Sequence, residues 1–345
     1  MVTHRIGSTD GLLGFLEFAS MRIAVVSLAL GIVFSGFGFA QNLLVLEKSD
    51  RTLAIVDPAT QKVLARTPAG EDPHEIVASA DGHFAYITNY GAFDKPHHTL
   101  TIVDVTQRKT IGTLDLGSLL APHGLSLSEG KVYFTAEGSK AIGRYNPDTK
   151  QVDWTLGIGN NRTHMIVVHG DRIFTSNVNS DSISIIERDA KADVSGWTQT
   201  VVPVGKGPEG FDVSPDGTQL WAANSGDGTV SIVDVTSKKV AANFDIHVKR
   251  SNRLKFTVDG KLVLVSDLGS GDVVVLDAAT HKEVKRLNVG KGAAGILIPP
   301  DGARAYVASS GDGNIAIVDL KSLSITGHIP VGKGPDGMAW ATPAR

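Results

Sequence analysis

Short segments of alternating hydrophobic and polar residues, separated by turn residues, make up most of the chain. Residues 211–246 show the pattern completely: the segments FDVS, LWAA, TVSIVD and VAANFDI are separated by Pro-Asp-Gly, Ser-Gly-Asp-Gly and Thr-Ser-Lys-Lys. β-branched and aromatic residues at alternate positions favour half-buried strands. Asp216 and Gly217 suit a tight hairpin, because glycine adopts a positive φ without a Cβ clash. The segment therefore predicts four strands joined by three turns.

This four-strand unit recurs along the chain. The residues that end the second strand of each unit align at gaps of 42, 48, 40, 47, 43 and 42: Glu47, Asn89, Glu137, Asn177, Asn224, Asp267 and Ser309. A four-stranded unit that repeats every 40-odd residues is typical of a β-propeller. The pattern therefore predicts an all-β, seven-bladed propeller.

The two ends of the chain predict how the ring closes. The first strand-like segment, residues 43–47, matches a second strand, whereas the last, residues 337–340, matches a first strand. The C-terminal strand should therefore pair with the N-terminal blade and complete it. Such closure removes an edge strand on which aggregation would otherwise begin.

The repeated segments AYITNY, LWAANSGDGTVSIVDVTSKKV, VSPDG and AYVASSGDGNIAIVDL resemble the YVTN-repeat propellers, the YncE-like family. The resemblance covers residues 43–345. It implies a seven-bladed fold but no single function, since propellers include lactonases, lyases, metal oxidases and binding modules.

An apolar run precedes the propeller. Met21 and Arg22 are followed by IAVVSLALGIVFSGFGFA, which ends in small residues at Gly38 and Ala40. This pattern predicts a secretory signal that starts at Met21 and is cleaved after Ala40; the alternative is an uncleaved membrane anchor. We expect residues 1–40 to be removed and residues 41–345 to form one domain, periplasmic or secreted and not held at a membrane.

Composition narrows the possible chemistry. The chain has no cysteine, which excludes disulfides, a lipoprotein anchor and covalently attached c-type haem. A net charge of −3, without a basic run longer than a pair, argues against a nucleic-acid surface. We expect a monomer whose partner is a small molecule or a metal ion.

Polar residues recur where the first strand of each blade begins. The residues at this position follow the repeat at gaps of 49, 41, 45, 44, 41 and 42: His74, His123, His164, Glu209, Arg253, Ala294 and Asp336. First strands are innermost in propellers, so these side chains should surround one mouth of the central channel, here called the top. A rim that merely tolerates polar residues is the alternative. The second-strand ends add Glu137, Asn89 and Asn224 as ligand-binding candidates beside Arg253 and Asp336, although such asparagines can also bond their own turns.

Two kinds of chemistry suit this rim. His74, His123 and His164 with Glu209 could hold one divalent transition metal, namely Zn, Fe, Cu or Mn. Without a metal, His164 or Glu209 would act as general base, while Arg253 clamps a carboxylate and His74 or His123 donates to a developing oxyanion.

The sequence leaves three functions open. The first is a module that binds a small anionic or metal-bearing ligand. The second is a lactonase-like hydrolase or lyase that uses His164, Glu209 and Arg253, with or without a metal. The third is a metal-dependent oxidase or oxygenase. An insertion in the second blade, GAFDKPHH, adds either a lid over the mouth or an ordinary surface loop.

Overall fold

The computed structural model describes residues 41–92, 94–192 and 196–342, which form seven four-stranded antiparallel sheets. The sheets are the seven predicted blades, so the prediction of an all-β propeller is confirmed. The predicted signal segment, residues 1–40, lies outside the described residues. Within the described part of the chain, no helix is long and apolar enough to cross a membrane.

The strands follow the blades in chain order. Blade 1 contains β1 (Asn42–Glu47), β2 (Thr52–Asp57), β3 (Lys62–Pro68) and the last strand, β28 (Pro335–Ala341). Blade 2 contains β4 (Pro73–Ala78), β5 (Phe84–Ala92), β6 (Lys95–Asp104) and β7 (Lys109–Asp115). Blade 3 contains β8 (Pro122–Ser128), β9 (Lys131–Ala136), β10 (Ala141–Asn146) and β11 (Gln151–Gly157). Blade 4 contains β12 (Thr163–His169), β13 (Arg172–Asn177), β14 (Ser182–Arg188) and β15 (Trp197–Pro203).

The last three blades have the same order. Blade 5 contains β16 (Pro208–Val213), β17 (Gln219–Asn224), β18 (Thr229–Asp234) and β19 (Lys239–Asp245). Blade 6 contains β20 (Ser251–Phe256), β21 (Leu262–Asp267), β22 (Asp272–Asp277) and β23 (Glu283–Asn288). Blade 7 contains β24 (Ala293–Leu297), β25 (Arg304–Ser309), β26 (Asn314–Asp319) and β27 (Ser324–Pro330). Three short 3-10 turns lie at Lys48–Asp50, Glu137–Ser139 and Val178–Ser180.

The ring closes as predicted. β28 pairs antiparallel with β1, with Leu43 opposite Trp340 and Val45 opposite Met338. The innermost strands contact one another in the order β28, β4, β8, β12, β16, β20, β24 and back to β28. The central channel therefore runs through one continuous ring of strands, and the first and last parts of the chain share a blade.

Apolar residues that alternate along the strands form the core between neighbouring blades. Trp221 shows how this works, because it is fully buried and meets Phe244 of its own blade and Phe256 of blade 6 edge-on. Such edge-to-face aromatic pairs contribute beyond the area they bury. The blades hold together by this packing in a chain that has no disulfide.

Four glycines let the innermost strands approach closely around the channel. Each is the third residue of its strand: Gly124, Gly210, Gly295 and Gly337. A Cβ atom added at any of them would lie 2.1 to 2.6 Å from backbone atoms of the next blade. Real Cβ atoms do not come that close, so the neighbouring strand would have to move.

We expect Gly210→Ala to lower the free energy of unfolding by about 1–3 kcal/mol, since the added methyl group overpacks the ring around the channel. Urea denaturation will measure the change. Gly112→Ala is the matched control, because an added Cβ there meets nothing within 4 Å. Equal stability of the two variants would contradict the close packing of the innermost strands.

Candidate functional site

The second residue of each innermost strand lies at the top mouth. The strand bounds assign seven residues to this second position: His74, His123, His164, Glu209, Asn252, Ala294 and Asp336. The prediction is wrong by one residue in blade 6. Ser251 pairs with Asp267 as Pro208 pairs with Asn224, so Asn252 is the counterpart of Glu209 and Arg253 lies one residue further along.

Arg253 therefore lies deeper in the channel than predicted. Its Nη2 donates to Oε1 of Glu75, the third residue of β4, and lies 4.0 Å from Oδ1 of Asp336. Burial disfavours the charge of Arg253, but Glu75, Asp336 and Glu209 raise its pKa overall. The ion pair adjoins a channel cavity of about 360 Å³ that is lined by the inner strands.

The three predicted histidines do come together. The rings of His123 and His164 are 3.8 Å apart between centroids with an angle of 33° between their planes, so they are nearly stacked. The ring of His74 is 4.6 Å from that of His123. His123 and His164 are 3% and 2% exposed, which makes them part of the interior rather than of a polar rim.

His164 lies between two carboxylates. Its Nδ1 is hydrogen-bonded to Oε1 of Glu137, and its Nε2 is 3.6 Å from Oε1 of Glu209. Burial opposes the charge of this imidazole, but both carboxylates favour it and together raise the pKa of His164. Burial likewise opposes the charge of Glu209, yet His164 lowers the pKa of Glu209 to about 2. His164 is therefore stabilised as an imidazolium.

His123 has the opposite protonation preference. Burial lowers the pKa of His123 well below its usual range, and the neighbouring charge of His164 lowers it further. Its Nδ1 is buried and has no hydrogen-bond partner among the described residues; the same holds for Nε2 of His164. Buried polar atoms are nearly always paired in folded proteins, so two such nitrogens side by side indicate a site for a ligand.

Glu137 reaches His164 from a position that the repeat alignment misplaced by one residue. Ala136, not Glu137, pairs with Pro122 as Asn89 pairs with Pro73. Glu137 is instead the counterpart of Tyr90, which follows Asn89.

Lys48, Tyr90 and Glu137 occupy equivalent positions at the mouth in blades 1, 2 and 3. Nζ of Lys48 lies 2.7 Å from Nε2 of His74. Tyr90 donates to Oε2 of Glu137 at 2.6 Å. The sequence analysis missed Lys48 and Tyr90. Shifting the repeat alignment of blade 3 by one residue would have shown that both occupy the same position in the repeat as Glu137.

Asn89 and Asn224, which were predicted to bind a ligand, form hydrogen bonds within the protein instead. Asn89 donates to the carbonyl of Ala69 at 2.8 Å and accepts from Thr99 and Thr101. Asn224 donates to the hydroxyls of Thr229 and Ser231. Both side chains are thus engaged within the protein, by hydroxyls and a linker carbonyl rather than by the backbone of their own turns.

Three residues beside the site have left-handed backbone conformations: Asp72 (φ 48°), Ala121 (φ 52°) and Arg162 (φ 53°). Oδ2 of Asp72 lies 3.1 Å from Nε2 of His74, and Nε of Arg162 lies 3.7 Å from Oε2 of Glu137. Glycine fills the same place in blade 5, at Gly207, and in blade 7, at Gly292. Non-glycine residues pay on the order of 1 kcal/mol there.

The predicted metal set is only partly assembled. One ligand atom each from His123, Glu137 and His164 lies within 4.8 Å of the others, and this buried group could hold a metal ion. Glu209 adjoins it through His164. Nε2 of His74 instead lies 2.7 Å from Nζ of Lys48 and 3.1 Å from Oδ2 of Asp72, and His74 is not part of the group.

No protein-family model matches the chain, and no curated protein matches it significantly. Among solved structures, a functionally unknown protein from Desulfotomaculum acetoxidans is similar, with a TM-score of 0.71 and 13% identity over 88% of this chain and 99% of that chain. Hydrazine synthase from Kuenenia stuttgartiensis has a TM-score of 0.65 and 20% identity, over 79% and 90% of the two chains. The dihydro-heme d1 dehydrogenase NirN, in complex with DHE, has a TM-score of 0.61 and 15% identity, over 86% and 74%. At sequence identities this low, the structural similarity shows a shared fold and nothing more.

Proposed function

We propose that this protein is an exported, monomeric propeller of the YVTN-repeat type that binds a divalent transition metal at its top mouth. The observation that carries the proposal is a pair of buried ring nitrogens that have no hydrogen-bond partner among the described residues, Nδ1 of His123 and Nε2 of His164. A metal ion would satisfy both. Two imidazoles with a carboxylate suit Zn, Cu, Fe or Mn, and leave room for water or a small ligand.

The two carboxylates have different roles in this proposal. Glu137 is hydrogen-bonded to Nδ1 of His164 and would orient that ring, as carboxylates behind metal-bound histidines commonly do. Oε1 of Glu209 lies 3.6 Å from Nε2 of His164 and would supply the oxygen ligand once that nitrogen has lost its proton. Because the rings of His123 and His164 are nearly stacked, one of them must turn for both nitrogens to reach one ion.

The position of Arg253 favours a binding function over hydrolysis by the predicted trio of His164, Glu209 and Arg253. His164 and Glu209 are neighbours, but Arg253 donates to Glu75 and is not free to clamp a substrate beside them. Arg253 is therefore engaged with Glu75 rather than aimed at a substrate beside the other two side chains.

Metal analysis of the untagged mature protein, residues 41–345, tests the proposal. We expect one equivalent of Zn, Cu, Fe or Mn to remain after metal loading and dialysis, and the His123→Ala/His164→Ala double variant to lose it. A His247→Ala/His328→Ala variant, which changes two exposed histidines, should retain it. Circular dichroism confirms that each variant is folded. Absence of stoichiometric metal in the folded wild type would refute the proposal.

A second candidate function rests on the opposite protonation preferences of the stacked histidines. Neutral His123 suits a general base and charged His164 a general acid, and environments that push two pKa values apart are typical of acid–base pairs. This would be a metal-free hydrolase or lyase. Turnover of small lactones by chelator-treated protein, lost in His123→Ala, would favour it.

A further inference from the structure

A separate recess lies beside the histidine group. Its volume is about 310 Å³, and it lies between blade 2 and the tops of blades 3 and 4. The residues that matter here are Tyr90, Pro96, Glu137, Lys140, Arg162 and Asn179. A volume at the lower end of the range for ligand pockets suits a small molecule.

The insertion in blade 2 forms one wall of this recess. It lengthens the β5–β6 hairpin, with Gly91 opposite Pro96. The hairpin is fixed to blade 3, because the carbonyl of His97 accepts from the amide of Ala121 at 2.7 Å and that of His98 from Leu116 at 2.8 Å. Residues 96–98 are thus held against blade 3, and Pro96 forms an apolar side of the recess together with Tyr90 of β5.

The opposite wall is cationic. The charged side chains that line the recess are Lys140, Arg162 and Glu137, two positive and one negative, which leaves one positive charge. Lys140 is exposed and takes part in no ion pair among the described residues. Nε of Arg162 is buried without a hydrogen bond among the described residues, and Oε2 of Glu137 lies 3.7 Å from it. The Arg162 side chain as a whole is 34% exposed, so its remaining N–H groups can donate to an anion in the recess, and hydrogen bonds between ions are the strong ones.

We propose that the recess binds a short-chain organic monocarboxylate, its carboxylate on Arg162 and Lys140 and its alkyl chain against Tyr90 and Pro96. One negative charge balances the lining, whereas a phosphate dianion would exceed it beside Glu137. The inference goes beyond the metal proposal and does not require it. The two sites meet at Glu137, which lines the recess and contacts His164, so a bound carboxylate would lie next to the proposed metal.

Calorimetric titration of chelator-treated protein with butyrate tests the inference. Butyramide is the matched neutral ligand, and inorganic phosphate tests the class of anion. We expect butyrate to bind, butyramide and phosphate to bind more weakly, and Arg162→Gln to weaken butyrate binding about tenfold, as expected for loss of a hydrogen bond between charged groups. Lys140→Gln should cause a smaller loss, and Lys239→Gln, a change at an exposed site in blade 5, should cause none.

Several results would overturn the inference. These are no binding of millimolar butyrate by either metal-free or metal-loaded protein, equal binding of butyramide, or tighter binding of phosphate. Each leaves the metal stoichiometry untouched, because that is measured without an added anion. Conversely, loss of metal in the His123→Ala/His164→Ala variant with retained butyrate binding would separate the two sites.

Discussion

The affinity for Zn²⁺ is expected to fall about tenfold for each pH unit below the pKa of His164, because one proton must leave this imidazole for each metal ion bound. The pKa of His164 is raised by Glu137 and Glu209 against the effect of burial. In the metal-free protein His164 therefore carries its proton up to a higher pH than an ordinary histidine. Between neutral pH and pH 5 the expected total loss is on the order of a hundredfold.

The Glu137→Gln variant distinguishes a loss of Zn²⁺ affinity through protonation of His164 from other effects of low pH. The substitution removes a negative charge from Nδ1 of His164, so the pKa of His164 should fall and the steep part of the affinity curve should move to lower pH. The affinity at high pH should also drop about 10–100-fold, because the ring loses its orienting carboxylate. Glu129→Gln, in the same blade but exposed, is the control. An affinity independent of pH between 5 and 8 would show that His164 is not a ligand.

Removal of β28 is expected to abolish cooperative folding. A chain that ends at Gly334 loses the innermost strand of blade 1 and its pairing with β1. It also loses the contacts of β28 with β4 and β24, which close the ring on both sides. Leu43 to Leu46, fully buried in the intact protein, would then face solvent on an open edge. Because domains are stable by only about 5–15 kcal/mol in total, we expect no sharp unfolding transition.

Thermal melts followed by circular dichroism, together with limited proteolysis, measure this effect. A chain that ends at Thr342 is the control, since it keeps all of β28. Adding a peptide of residues 335–345 in trans should restore protease resistance to the shortened chain. A cooperative transition near that of the full-length chain would show that strand closure contributes little to stability.

The predictions from sequence were right about the blades and imprecise about single residues at the mouth. His123 and His164 do hold the predicted position near the start of their innermost strands. Arg253 and Glu137 were each misplaced by one residue. The first hairpin of blade 3 is two residues shorter than that of blade 2, since Pro122 pairs with Ala136 and Pro73 with Asn89, and the repeat spacing does not reveal such a change. Since strand side chains alternate, one residue decides which face a side chain lies on.

The sequence by itself determined the repeat, the number of blades, the exchange of the last strand and the presence of histidines at one end of the channel. These follow from local pattern and chain order, which every blade repeats. Only the tertiary structure decided that Glu137 supports His164, that Arg253 pairs with Glu75, and that His123 and His164 have opposite protonation preferences. Those properties arise from burial and from charges on other blades, and neither can be read from residues that lie tens of positions apart in the chain.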